Sequence, residues 1–147
     1  MKKLLFVCAA FLLIGFGLTT ASAQTENDIF GYYTIQGNAP VGFADISEIH
    51  LAGDYGAQQS PPVHGMIRLK NKTAKDFAVN KPVLNGKNIT FTTKAVGGVS
   101  YEFTGTFVKF PNNTQQAGTV LRGVLRKYRG KTKIAEANVK FSYDAGD

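Results

Sequence analysis

Val99-Ser100-Tyr101-Glu102-Phe103-Thr104-Gly105-Thr106-Phe107 decides the fold. Apolar and small polar residues alternate through it without a break. Successive residues of a β-strand point to opposite faces, so Tyr101, Phe103 and Phe107 share one side while Ser100, Glu102, Thr104 and Thr106 share the other. A helix would scatter both sets around its axis. The run before it repeats the pattern, with Ile89, Phe91, Thr93 and Ala95 set against Thr90, Thr92 and Lys94. Near the C-terminus Ala135, Ala137, Val139, Phe141 and Tyr143 oppose Glu136, Asn138, Lys140 and Ser142. Aromatic and β-branched residues dominate these runs, as a half-buried pleated surface prefers.

Turn residues punctuate the alternation. Asn85-Gly86, Gly97-Gly98 and Gly130-Lys131 each separate two runs, and such pairs close hairpins by supplying positive φ. Ser60-Pro61-Pro62 and Pro111-Asn112-Asn113-Thr114 mark longer loops. Strands are expected at residues 29–36, 43–52, 63–70, 77–84, 89–96, 99–110, 119–129 and 133–143. No window carries a helical apolar stripe, and Thr73–Phe77 allows at most one helical turn. Eight strands joined by short connections predict an all-β domain: a single antiparallel up-and-down β-barrel, with a β-sandwich as the alternative. Closure of the ring removes exposed strand edges.

The order and number of strands resemble the calycin architecture of lipocalins and avidins. Lipocalins carry Gly-x-Trp on the first strand, stacked on a basic residue of the last. Gly31-Tyr32-Tyr33 is a degenerate version of that motif, with Tyr33 in place of the Trp and Arg126 or Lys140 as the basic partner. The resemblance implies a secreted calycin-like barrel and carries over no ligand residues. The segment from Val83 to Phe107 is also similar to small secreted bacterial β-domains.

The first 23 residues have the three parts of a secretory signal peptide. Lys2-Lys3 is followed by an apolar run from Leu4 to Leu18 and by Ala21-Ser22-Ala23. Cleavage before Gln24 would leave residues 24–147 as one domain, secreted or periplasmic. The apolar run is shorter than the ~20 residues of a spanning helix, and no second such stretch follows. Cys8 lies early in the run rather than at its end, which argues against lipidation. It is the only cysteine among 147 residues. The mature chain therefore has no disulfide, thiol nucleophile or thiolate metal site. An outer-membrane barrel is disfavoured by Lys and Arg within the expected strands, which would be costly facing lipid.

Charge divides the chain. Residues 24–67 hold five acids and no Lys or Arg, whereas residues 68–147 hold 15 bases and five acids, within a formal net charge of +7. Arg122, Arg126, Lys127, Arg129, Lys131 and Lys133 form the densest stretch. This hairpin can attract an anionic surface or an acidic protein partner, as a secreted inhibitor or interaction module would. It can equally be a solvated hairpin whose charges discourage edge pairing. Nucleic acid is excluded by compartment and by the core-like spacing of the aromatics.

Catalytic material is sparse. His50 and His64 are the two histidines, and with Glu48 they could approach one another across a hairpin and offer imidazole and carboxylate ligands to a metal. A one-residue slip would part them, and two ordinary strand histidines explain the same residues. No nucleophile elbow or phosphate-cradling loop is present. The expectation is no metal, no cofactor and no enzymatic activity, a cyclase- or isomerase-like barrel with a histidine base being the lesser reading. Tyr33, Phe91, Tyr101, Phe103, Phe107 and Phe141 are candidates to line a cavity for a small apolar or amphipathic molecule. An eight-stranded barrel can hold one small ligand or be filled by its own side chains. An interior of roughly 300 Å³ or more would favour a ligand, and a filled one would favour surface recognition.

Overall fold

In a computed structural model of the chain, β6 (Val99–Phe107) pairs without a break along its whole length with β7 (Gln116–Arg129). The structure describes residues 28–53, 63–112 and 114–146. The expected signal peptide lies outside these. Before β6 come β1 (Gly31–Ile35), β2 (Ile46–Gly53), β3 (Val63–Leu69), β4 (Phe77–Asn85) and β5 (Asn88–Thr93); after β7 comes β8 (Thr132–Asp144).

Every strand is antiparallel to its sequence neighbours, and β1 pairs with β8 through Tyr33↔Tyr143 and Ile35↔Phe141. The result is a closed up-and-down barrel of eight strands. That seam excludes the sandwich, whose two sheets would each end in free edges. Among the described residues no helix is long and apolar enough to cross a membrane.

The alternation sets what faces inward. Tyr101, Phe103 and Phe107 of β6, Ile89 and Phe91 of β5, and Val139, Phe141 and Tyr143 of β8 are all buried in one core. The outward positions carry Thr, Asn and ion pairs, the reverse of the apolar-out pattern of a membrane barrel. Ala95, expected on the core face, is exposed because β5 stops at Thr93. There the Thr93 hydroxyl accepts a hydrogen bond from the Tyr101 amide at 2.9 Å, ending the ladder.

The turns follow the glycines, with one correction. Gly97 and Gly98 both take positive φ and are flanked by a reciprocal Val96–Val99 backbone pair. At β4–β5 the pair Asn85↔Asn88 leaves Gly86-Lys87 as the loop, so Asn85 ends its strand and only Gly86 takes positive φ. The segment after β3 is a turn rather than a helical one: the Asn71 side chain accepts from the amide and hydroxyl of Thr73.

The first two strands begin later than the sequence suggests. Ile29 and Phe43, which extend the alternation, sit instead in the segments that enter β1 and β2, yet both are buried in the core. They close the two ends of the barrel. Phe43 turns inward toward Tyr101, with ring centroids 6.5 Å apart. Its connection (36–45) is held over that mouth by Lys127, whose ammonium donates to the Gly42 carbonyl and pairs with Asp45 at 3.0 Å. At the other end the Tyr33 hydroxyl donates to the Ile29 carbonyl at 2.5 Å, and the Tyr143 hydroxyl donates to the Phe30 carbonyl at 2.6 Å.

Candidate functional site

The six candidate lining aromatics are all buried inside the barrel, five in ring contacts among themselves and Tyr101 against Phe43 and Phe77. Phe103 lies 5.5 Å from Phe91 and 5.7 Å from Phe141, ring to ring, and Tyr33 lies 6.0 Å from Phe107. Each is at most 3 % exposed. The glycines opposite explain the fit. Gly105 and Gly123 face each other across β6 and β7, and the Phe103 ring fills the space their side chains would occupy. A methyl on Gly123 would fall 2.3 Å from the Thr104 carbonyl and 2.9 Å from that ring. Glycine here makes room inside for a protein side chain. Burial raises the pKa of the Tyr33 phenol, reinforced by Tyr143 and Asp28. Burial also raises that of Tyr101, reinforced by Asp45 and opposed by Lys127, whose ammonium lies 5.5 Å from the centre of the ring.

Concave space is found on the outside. The groove on the outer face of β5–β8 has a volume of about 420 Å³ and is bordered by Thr104, Thr106, Arg122, Asn138 and Lys140. Register aligns these side chains: Thr106 pairs with Arg122, and Arg122 with Lys140.

The six bases of the candidate hairpin separate into two kinds. Arg126 is held on both sides, by Glu136 at 2.6 Å and Glu102 at 2.8 Å, and Lys133 reaches the same Glu136 at 2.9 Å. Lys133 foremost, and then Arg126, keep the Glu136 carboxyl below the usual carboxylate range. Lys127 pairs with Asp45; burial works against its charge, but Asp45 and Tyr101 outweigh that and its pKa is raised. Arg122, Arg129 and Lys131 make no ion pair among the described residues.

The fold adds bases that are distant in sequence. In an up-and-down barrel every second connection lies at the same end. The β1–β2, β3–β4, β5–β6 and β7–β8 connections therefore share one mouth, as the bond from the Gly130 amide to the Gly98 carbonyl (2.8 Å) and that from the Lys70 amide to the Asp45 carbonyl (2.9 Å) confirm. This end gathers Lys70, Lys72 and Lys75 after β3, Lys94 after β5, and Arg129 and Lys131 at the last hairpin, all exposed. Its acids are already engaged: Asp45 by Lys127, and Asp76 by Arg68 at 3.6 Å. Sequence reasoning confined to the 121–133 stretch missed the four lysines of the earlier loops. Parity of the connections, applied to the expected strand order, would have found them.

His50 and His64 are both on β3-facing or β3 positions of the outer surface, but the register offsets them: His50 pairs with Met66, and His64 with Ala52. Glu48 is drawn to Arg68 at 3.0 Å. Among the described residues no three His, Cys, Asp or Glu side chains come together as a metal-binding group. His50 stacks on Tyr32 instead, with centroids 4.5 Å apart. Burial, then Arg68, depresses its pKa, with Glu48 opposing. In the first-strand motif the Tyr32 ring lies 5.9 Å from the Arg68 guanidinium. Arg126 is occupied by its two glutamates, and Tyr33 points into the core, so the stacking implied by the lipocalin resemblance does not form through Arg126. Lys140 meets β1 through its backbone, accepting from the Gln36 amide at 2.8 Å.

The chain matches no protein-family model, no curated protein and no solved structure.

Proposed function

We propose that this protein is an exported recognition module that binds an anionic partner through the mouth formed by its odd-numbered connections. The observation that supports this reading is the gathering of Lys70, Lys72, Lys75, Lys94, Arg129 and Lys131 at one end, where the local acids are spent on Arg68 and Lys127. Unpaired cations held together on rigid hairpins focus positive potential and speed encounter with an anion. The filled interior leaves the aromatics to act as core, so recognition falls to the surface. The signal-like residues 1–23 would deliver the domain to the periplasm or the outside.

The test is binding of a soluble polyanion, inorganic polyphosphate, followed as salt is raised. Affinity should fall steeply with ionic strength, because exposed charges are screened over about 8–10 Å at physiological salt. Replacing Lys70, Lys72 and Lys75 with Gln should weaken binding at least tenfold, and replacing Lys87 and Lys109 should leave it unchanged. Equal losses from both sets would overturn the reading.

A further inference from the structure

Two large aliphatic side chains stand exposed at the basic mouth, and local geometry holds each there. Val41 is 97 % exposed. It occupies the tip of a turn closed by the Phe43 amide on the Pro40 carbonyl at 3.0 Å, with Gly42 at φ +88° as the following residue. Positive φ at that position is what a type II turn requires. Two residues on, Phe43 is locked inside the barrel, so the turn cannot swing Val41 inward without withdrawing a core aromatic. Ile134 is 46 % exposed for a different reason. Lys127 pairs with Ala135 and Tyr128 with Lys133, which leaves Ile134 as the extra residue of a β-bulge. Alternation along β8 puts Ile134 on the outer face with Glu136, Asn138 and Lys140, and the bulge leaves it without a partner on β7. The two sites adjoin: a methyl placed on Gly42 would lie 2.7 Å from the Ala135 side chain.

The opposite end exposes aliphatic groups as well, Val83, Leu84 and Val108. There, among the described residues, the connections supply Lys87 and Lys109, Arg122 and Lys140 stand a little way in along β7 and β8, and Asp28 and Asp144 lie just before β1 and at the end of β8. Among the described residues the basic mouth gathers the larger set of cations, six, and joins Val41 and Ile134 to them. A dissolved polyanion would use the cations alone. A phosphate-rich lipid surface uses both, since cations meet the headgroups while short apolar side chains enter the acyl boundary.

From this we infer that the basic mouth docks on an anionic membrane surface, with Val41 and Ile134 entering the headgroup layer between the lysines. The inference rests on the anionic-partner reading above and names its partner. The barrel itself stays outside the bilayer, because its strand faces carry ion pairs such as Arg126 with Glu102 and Glu136.

The experiment is co-sedimentation of the purified protein with vesicles of phosphatidylcholine, with and without about one-third phosphatidylglycerol. Binding is expected only to the anionic vesicles. Changing Lys70, Lys72 and Lys75 to Gln should weaken it about a hundredfold, at roughly fivefold per cation near such a surface. The double variant Val41→Ser with Ile134→Ser should weaken vesicle binding about tenfold through lost apolar burial, with polyphosphate binding unchanged. Vesicle binding by that variant equal to the parent's would overturn the inference. So would polyphosphate binding without vesicle binding, which leaves the anionic-partner reading standing. Loss of both ligands by the parent protein would remove both. Both positions are solvent-facing, and an unchanged thermal midpoint confirms that the serine variant folds.

Discussion

The two ends of the barrel are closed by the same device and charged differently. At each, a residue just ahead of a strand drops an apolar side chain into the core: Ile29 ahead of β1, Phe43 ahead of β2. At each, a polar side chain binds a backbone carbonyl to hold the segment down, Tyr33 and Tyr143 at one end and Lys127 at the other. Yet among the described residues the connections at the end where β1 begins carry two cations, Lys87 and Lys109, whereas the other end collects six, without a described ion-pair partner, from three connections. Closing a barrel is thus a packing requirement met twice, while the charge on its loops is free of that requirement and can differ between ends.

The largest expected effect tests the shared device. Phe43→Ala removes a fully buried ring and should lower stability by about 3–5 kcal/mol; Ile29→Ala should lower it by about 2–5 kcal/mol. Urea unfolding of both variants checks this. A loss below about 1 kcal/mol for Phe43 would mean that its connection merely lies over the mouth, and the symmetry of the two ends would fail. Next, Gly123→Ala, midway between the ends, should destabilise by about 1–3 kcal/mol, because the methyl meets the Thr104 carbonyl and the Phe103 ring. A smaller Phe103 side chain would recover part of this loss if the ring is the obstacle.

A smaller effect separates the ends by pH. His50 stacks on Tyr32, away from the basic mouth. Its pKa is depressed in the folded protein, so the unfolded chain takes up the proton first as pH falls. Its contribution to stability is complete above the unfolded value near 6.5. It declines below that until the folded pKa is passed. His50→Phe keeps a ring for stacking and should flatten this part of the profile between pH 7.5 and 5. An unaltered profile would assign the dependence to other groups. Smallest of all, Val41→Ser should shift stability by no more than about 0.5 kcal/mol, as an exposed turn residue should. A large shift in thermal midpoint would show that Val41 serves the fold rather than the surface.

The strand order was legible because its signals are local. Alternation over Val99–Phe107 and the Gly97-Gly98 pair need only neighbours in sequence to act, and eight strands at such spacing leave a barrel or a sandwich. The ring closure itself was not local, since Tyr33 meets Tyr143 from the far side of the chain. Ile29 and Phe43 misled the strand limits for a related reason: an inward apolar side chain in a closing loop and one in a strand carry the same period. The candidate site was half legible. The basic hairpin could be seen, but not that Glu102 and Glu136 answer Arg126 across register and that Asp45 answers Lys127 from a distant connection. The lysines of the earlier loops were hidden by sequence distance alone. The outward parity of Ile134 was legible, but the bulge that leaves it unpaired makes no mark in the alternation around it.

The seam between the first strand and the last has a further consequence for how the molecule is made. A chain emerging N-terminus first cannot complete the ring until residue 144 has appeared. Until then β1 and β7 present unpaired amides and carbonyls to whatever lies nearby, including another nascent copy. A truncation that removes β8 would keep seven well-formed strands and still produce a sticky open ribbon, so the last thirteen residues of the ring protect the product from self-assembly as much as they stabilise it.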